Sequence, residues 1–296
     1  MEGRSGNPAM LALTLAYDGS DFAGSQVQPG QRSVQGELGA ALGRVGQPDL
    51  RTTFAGRTDR GVHAAGQVVS IADRWPELEP DRIRRVISSQ LPEDLGVSRV
   101  ERRAVGFHAR FDATWRLYRY IIGQDGHQPV GRRFVWFRSG ALLDIAAMQS
   151  ASARFAGTRD CAALAGGGQG VPWSETRDKP RGTIRTILGV VVEPADRWWS
   201  PVPDVPGIAI WVAADGFLPR MVRNIVAMLV EVGRGTREPG WIDQVLDGGD
   251  RRHGTGTAPA HGLTLWRVGY GDDRIGPDPP WTTHTTALPR VTGQTS

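Results

Sequence analysis

The apolar positions of the chain repeat with two periods, and the alternation between those periods lays out its elements. Leu11, Leu13 and Leu15 alternate with Ala12, Thr14 and Ala16, the two-residue rhythm of a half-buried strand, before Tyr17-Asp18-Gly19 turns the chain. Ser33 is a good N-cap, and the stripe Val34, Leu38, Ala41, Leu42 and Val45 predicts a helix that Gly46 ends. Strands are predicted at 52–55 and 67–72, and a second helix opens at Pro80-Asp81 and stops before Leu91-Pro92. Residues 96–104 and 115–122 read as strands. The latter sets Arg116, Tyr118, Tyr120 and Ile122 on one face and Trp115, Leu117, Arg119 and Ile121 on the other. Strand, helix, strand, strand, helix, strand is the order of a split βαβ unit.

The second half reads as a looser version of the first, without residue-level internal identity. A helix is predicted over 142–155, with Asp144 near its start. Strands at 183–193 and 207–214 flank a Pro/Trp-rich insertion at 197–206. A long apolar helix (217–232), a shorter one (238–246) and a closing strand (263–270) follow. Between them, 160–181 carries a Gly-Gly-Gly-Gln-Gly run; no helix follows it, so it reads as a mobile surface loop and not a phosphate cradle. The predicted organisation is a disordered 1–9, an α+β half at 10–123, a second α+β half at 124–270 and a disordered 271–296.

Composition narrows the class. At 296 residues the chain can bury a large core, as one domain or as two fused halves. The formal charge is only +4, but of 35 lysines and arginines Lys179 alone is lysine, leaving 34 arginines. Arginine suits bidentate phosphate contacts and base stacking, so nucleic acid is one reading, and a GC-rich genome accounts for the same bias equally well. The exposed Arg82, Arg84 and Arg85 are open to both. A single cysteine, Cys161, excludes an intrachain disulfide and a multi-cysteine zinc site. The six histidines lack metal-ligand spacing, so no metal is expected. No leader pattern or membrane-length apolar run is present, and a cytoplasmic protein without membrane association is expected.

The stretch with the most chemistry is Phe54-Ala55-Gly56-Arg57-Thr58-Asp59-Arg60-Gly61-Val62-His63-Ala64-Ala65-Gly66-Gln67. It reads as a tight polar loop between strands that holds the Asp59 carboxylate at the mouth of a sheet, with glycines at 56 and 61 to turn the backbone. A charged hairpin turn fits the spacing equally. A second signal is Arg223, set in the apolar run Met221-Val222-Arg223-Asn224-Ile225-Val226. An arginine buried there requires a carboxylate or several acceptors, unless it reaches the helix end and pairs locally.

Gly56-Arg57-Thr58-Asp59 with Gly61-Val62-His63-Ala64 resembles the signature of the bacterial tRNA pseudouridine synthase A family. Tyr17-Asp18-Gly19, Phe107-His108-Ala109-Arg110-Phe111, Tyr118-Arg119-Tyr120, the run around Arg223 and Ala258-Pro259-Ala260-His261-Gly262-Leu263 follow in that family's order, from about residue 10 to 270. The resemblance implies two ferredoxin-like halves joined in one mainly antiparallel sheet flanked by helices, with the active-site cleft between them. It implies a homodimer whose subunits together grip one tRNA and convert uridines at positions 38, 39 and 40 of the anticodon arm to pseudouridine without a cofactor.

By the same resemblance Asp59 is the nucleophile and Arg223 its charge partner. Tyr118 stacks on the extruded uracil and is a candidate to take the C5 proton, and Arg57 enters the space left by the flipped base. The N1–C1′ bond breaks, the uracil rotates and a C5–C1′ bond forms; attack at C1′, attack at C6 and a glycal route all start from the same carboxylate. Thr58, Gly61 and His63 are read as shaping the loop. Two positions depart from the family pattern: Ser25 stands where a tryptophan is usual, and Arg60 where alanine is common. Both leave room for a different substrate range. The rivals are a paralogue acting on another RNA, a tRNA-binding protein without catalysis, and an aspartate glycosidase, which would need a second carboxylate that the matched motifs do not supply.

Overall fold

A computed structural model describes residues 9–124, 129–166, 182–195, 206–249, 255–271 and 273. Expectations that fall on 1–8, 167–181, 197–205 and 274–296 lie outside the described residues. The expected α+β class holds. Ten strands form one open, mixed, mostly antiparallel sheet among the described residues.

Strand β1 (Met10–Tyr17) runs between β4 (Leu95–Arg103) and β3 (His63–Ala72), antiparallel to both. The other edge of β3 is shared. The two-residue β2 (Thr53–Phe54) pairs with it at Ser70 and Val69, while β10 (Leu263–Tyr270) lies parallel to it at His63 and Ala64. Beyond β10 come β5 (Ala113–Gln124), β9 (Gly207–Ala214), β8 (Ile184–Pro194) and β7 (Gly157–Asp160), each antiparallel to the one before it. β6 (Trp136–Arg138) adds in parallel to the end of β5. The short β6 and β7 have no counterpart in the predicted elements.

The registers make one transverse row. Leu95, Tyr17, Ala64, Leu265, Tyr118, Val212 and Val190 stand opposite one another from β4 across to β8. All seven belong to the main core, which α1 (Val34–Arg44), α2 (Pro80–Ser88), α3 (Ile145–Ser152), α4 (Met221–Gly233) and α5 (Trp241–Gly248) cover. The two faces of β5 divide as the alternation predicts. Tyr118, Tyr120 and Ile122 enter this core, and Trp115, Leu117 and Ile121 enter a smaller cluster on the opposite face with Trp211 and Ala213.

Helix boundaries differ from the periodicity where a cap decides them. α3 begins three residues later than expected because the Asp144 carboxylate accepts the Ala147 amide at 2.9 Å. Its last predicted turn, Ala153–Phe155, is a 3-10 turn. α4 begins at Met221 and not at 217, because Arg220 takes a left-handed conformation (φ 60°) that no helix continues through. Part of the expected 160–181 loop is ordered: β7 ends at Asp160 and a 3-10 turn at Ala162–Leu164 buries Ala163 and Leu164.

Candidate active site

The loop between β2 and β3 carries Asp59, and it is fastened from beneath. Ala55 closes the β2 pairing with its amide on Val68 O at 2.8 Å, and the Val62 amide turns back onto Asp59 O at 3.1 Å. Gly61 has φ +76°, a left-handed turn that suits glycine; Gly56 has an ordinary negative φ and open space around it, so only the second of the two predicted hinge glycines is sterically required. Between them Thr58 is buried, and its hydroxyl is 2.8 Å from the Tyr17 hydroxyl. The buried Gln67 amide donates to Gly56 O at 2.8 Å.

Two further groups that sequence reasoning did not single out for the site hold this loop. The side chain of Arg116, 9% exposed, gathers four carbonyl oxygens: Ala113 at 3.1 Å, Asp215 at 2.9 Å, Ala55 at 2.9 Å and Arg110 at 2.6 Å. It ties the start of the loop to β5 and to the end of β9. Ser25, 1% exposed, accepts the Thr58 amide on its hydroxyl at 2.9 Å and donates its own amide to Thr58 O at 3.1 Å. The sequence signal at Ser25 was its departure from the family pattern, which read only as a lost aromatic.

Asp59 and Arg223, 164 positions apart, face each other. Nη1 of Arg223 is 3.3 Å from Asp59 Oδ2, and its Nε donates to Ala258 O at 2.7 Å. The guanidinium sits at the first turn of an almost wholly buried helix and is 16% exposed, while the Asp59 side chain is 40% exposed. Arg223 therefore anchors on the backbone before β10 and offers its remaining donors to a carboxylate that is open to an incoming group. The separation is longer than the 2.7–2.9 Å typical of a tight charge-assisted bond. Such contacts commonly tighten when substrate arrives.

Tyr118 stands two strands from Ala64 in the transverse row, which at about 4.8 Å per strand puts its Cα about 10 Å from the residue that follows His63. Its ring meets Phe217 edge-on with centroids 5.1 Å apart. Burial first, then the neighbouring Tyr17 hydroxyl and Asp59, push the Tyr118 hydroxyl far above the usual phenol range, against a smaller opposing pull from Arg116. Arg57 is exposed two residues before Asp59 and makes no ion pair among the described residues. Arg60 turns away from the carboxylate, donating to Gln31, and lines a hollow with Asp21, Ala23, Gln31 and Arg32 that does not include Asp59.

His63 has both ring nitrogens engaged with the backbone. Nδ1 accepts the Gly19 amide at 2.9 Å and Nε2 points at His261 O, 3.1 Å away, which fixes the neutral Nε2–H tautomer. Burial lowers its pKa, consistent with that form. It is a structural pin and not a poised base.

The sequence profile of a family described as tRNA pseudouridine synthase matches residues 14–112 and 151–271. A protein of Brevibacillus brevis named tRNA pseudouridine synthase A is 40% identical over 262 residues, 88% of this chain and 99% of the relative. Proteins of the same name are 41% identical in Solidesulfovibrio magneticus, over 89% of this chain and 92% of the relative, and 38% identical in Thermotoga maritima, over 87% and 98%. With the motif loop and the arginine helix both inside the matched residues and the relatives covering nearly nine tenths of its length, the chain belongs to the tRNA pseudouridine synthase family.

Proposed function

We propose that this chain isomerises uridine to pseudouridine in the anticodon arm of tRNA, at positions 38, 39 and 40, with Asp59 as the nucleophile. The observation that carries the reading is the Asp59–Arg223 pair, which joins a loop hung from β3 to a helix of the second half of the chain. The two halves are read as ferredoxin-like units with the cleft between them, and two copies of the chain together grip one tRNA in the cytoplasm.

Asp59 forms the bond that lets N1–C1′ break, and the freed uracil rotates in place. C5 then bonds to C1′ as the bond to Asp59 breaks and frees the carboxylate, and the proton lost from C5 is balanced by one gained at N1, so reactant and product have the same composition and no electrons are exchanged. Arg223 holds the carboxylate's charge and direction. Tyr118 is the platform against which the extruded ring rests; its hydroxyl stays protonated in the resting protein, so it can take the C5 proton only after passing on its own. Arg57, exposed in the loop, fills the gap in the stack and offsets part of the few kcal/mol that flipping costs.

The test is release of tritium from tRNA labelled at uracil C5, run beside sedimentation of the tRNA complex. Asp59→Ala and Asp59→Asn are expected to abolish release while still binding tRNA as a dimer. Release at the native rate from either variant would end the assignment.

A further inference from the structure

We propose that Ser25 is a positioning residue for the reaction: its hydroxyl, with its amide, clamps the peptide of Thr58 and so aims the carboxylate of the next residue. The inference rests on Asp59 being the nucleophile. Thr58 is gripped at three atoms. Its amide donates to Ser25 Oγ at 2.9 Å, its carbonyl accepts from the Ser25 amide at 3.1 Å, and its hydroxyl meets that of Tyr17 at 2.8 Å. Among the described residues nothing comparable holds the Asp59 side chain, which meets Arg223 at 3.3 Å. Its aim toward that guanidinium is therefore inherited from the backbone at residue 58.

The clamp has a rigid support. The Ser25 carbonyl accepts the Gln35 amide at 2.9 Å and the Gly24 carbonyl accepts that of Val34 at 3.3 Å, both in the first turn of α1. Gly24 lets the two segments lie side by side: its φ is +119°, and a Cβ there would come within 2.9 Å of Thr58 O. A helix is thus bolted through residues 24 and 25 to the loop that carries the nucleophile. A tryptophan at 25, the residue the family resemblance leads one to expect, has no side-chain oxygen to accept the Thr58 amide, as the serine does here.

The experiment compares the native protein with Ser25→Ala and Ser25→Cys, the latter keeping a heavy atom at the position of the hydroxyl, somewhat larger and a weaker acceptor. Two readouts are taken: single-turnover tritium release against tRNA affinity, and the rate of tryptic cleavage after Arg57 and Arg60, both exposed in the loop. Ser25→Ala is expected to slow turnover by about 10- to 100-fold with affinity held within about twofold, Ser25→Cys falling between. Loop cleavage should speed up in the same order, because the lost bond lets the segment open locally. Native turnover in the alanine variant, or slow turnover with native cleavage, overturns the proposal, as does affinity falling in step with rate. Should Ser25→Ala fail to fold, Ser25→Cys is scored on the same terms. Asp59→Ala separates the two layers: it should lose turnover with native cleavage, and if it keeps turnover the nucleophile reading fails and the positioning role with it.

Discussion

Arg223 divides its donors between two neighbours with different tasks. Nε is committed to Ala258 O at 2.7 Å, a fixed backbone anchor, and Nη1 is offered to Asp59 at 3.3 Å. A lysine brings the same charge but only one terminal nitrogen, so it can satisfy the anchor or the carboxylate and not hold both in one geometry. On the proposed role of Asp59 as nucleophile, Arg223→Lys is expected to slow single-turnover tritium release by about 10-fold or more and Arg223→Ala by about 100-fold, with tRNA affinity nearly unchanged, since a misdirected carboxylate costs rate before binding. Equal rates for lysine and arginine would mean that charge alone matters there. The burial of this arginine was legible in the sequence from its apolar helix, and its need for an acceptor followed. That one of its acceptors would be a main-chain carbonyl was not legible, because backbone acceptors leave no mark on residue identity. The same blindness hid Arg116, which donates to four main-chain carbonyls.

Elements were legible where a period persists and illegible where pairing supplies the structure. Strands such as β1 and β9, and the helix α1, lie within a residue of the alternation or stripe that predicts them. β6 and β7, of three and four residues, are too short to show a period, and they exist because an edge was available. The parallel contact of β10 with β3, which sets the two motif regions side by side, is a tertiary event that no local pattern encodes. At helix starts the cap overrules the stripe: the carboxylate of Asp144 stops α3 from extending to residue 142. Asp144→Ala removes the bond to the Ala147 amide and should cost about 1 kcal/mol, seen as a melting temperature lower by roughly 2–4 °C in a chain of this size, with tritium release unaltered. A shift within error would show that the carboxylate is dispensable and that packing of Met148 alone defines the helix.

Across the whole molecule, His63 is the point where three distant segments are pinned together. It opens β3, takes the Gly19 amide from the turn after β1, and gives its proton to His261 O just before β10. Protonation of Nδ1 would destroy the first of these bonds. Burial lowers the pKa of His63 below 6.5 and Arg133 adds to that, while Asp18, with Oδ1 3.2 Å from Nδ1, and the carbonyls of His261 and Arg133 oppose it. His261 is shifted down as well, by burial first and then by His63 and Arg223. For both groups the unfolded chain binds a proton more readily than the folded one, so their contribution is complete above the unfolded value of 6.5 and is lost as pH falls below it through the folded values. Melting temperature should therefore level off from about pH 7.5 upward and decline below about 6.5. Thermal melts of His63→Gln across the same range should start from a lower plateau, because the three-way pin is gone, yet decline less steeply. An acid slope as steep as the native one would move the proton uptake to other groups and leave His63 a packing residue without a part in the pH response.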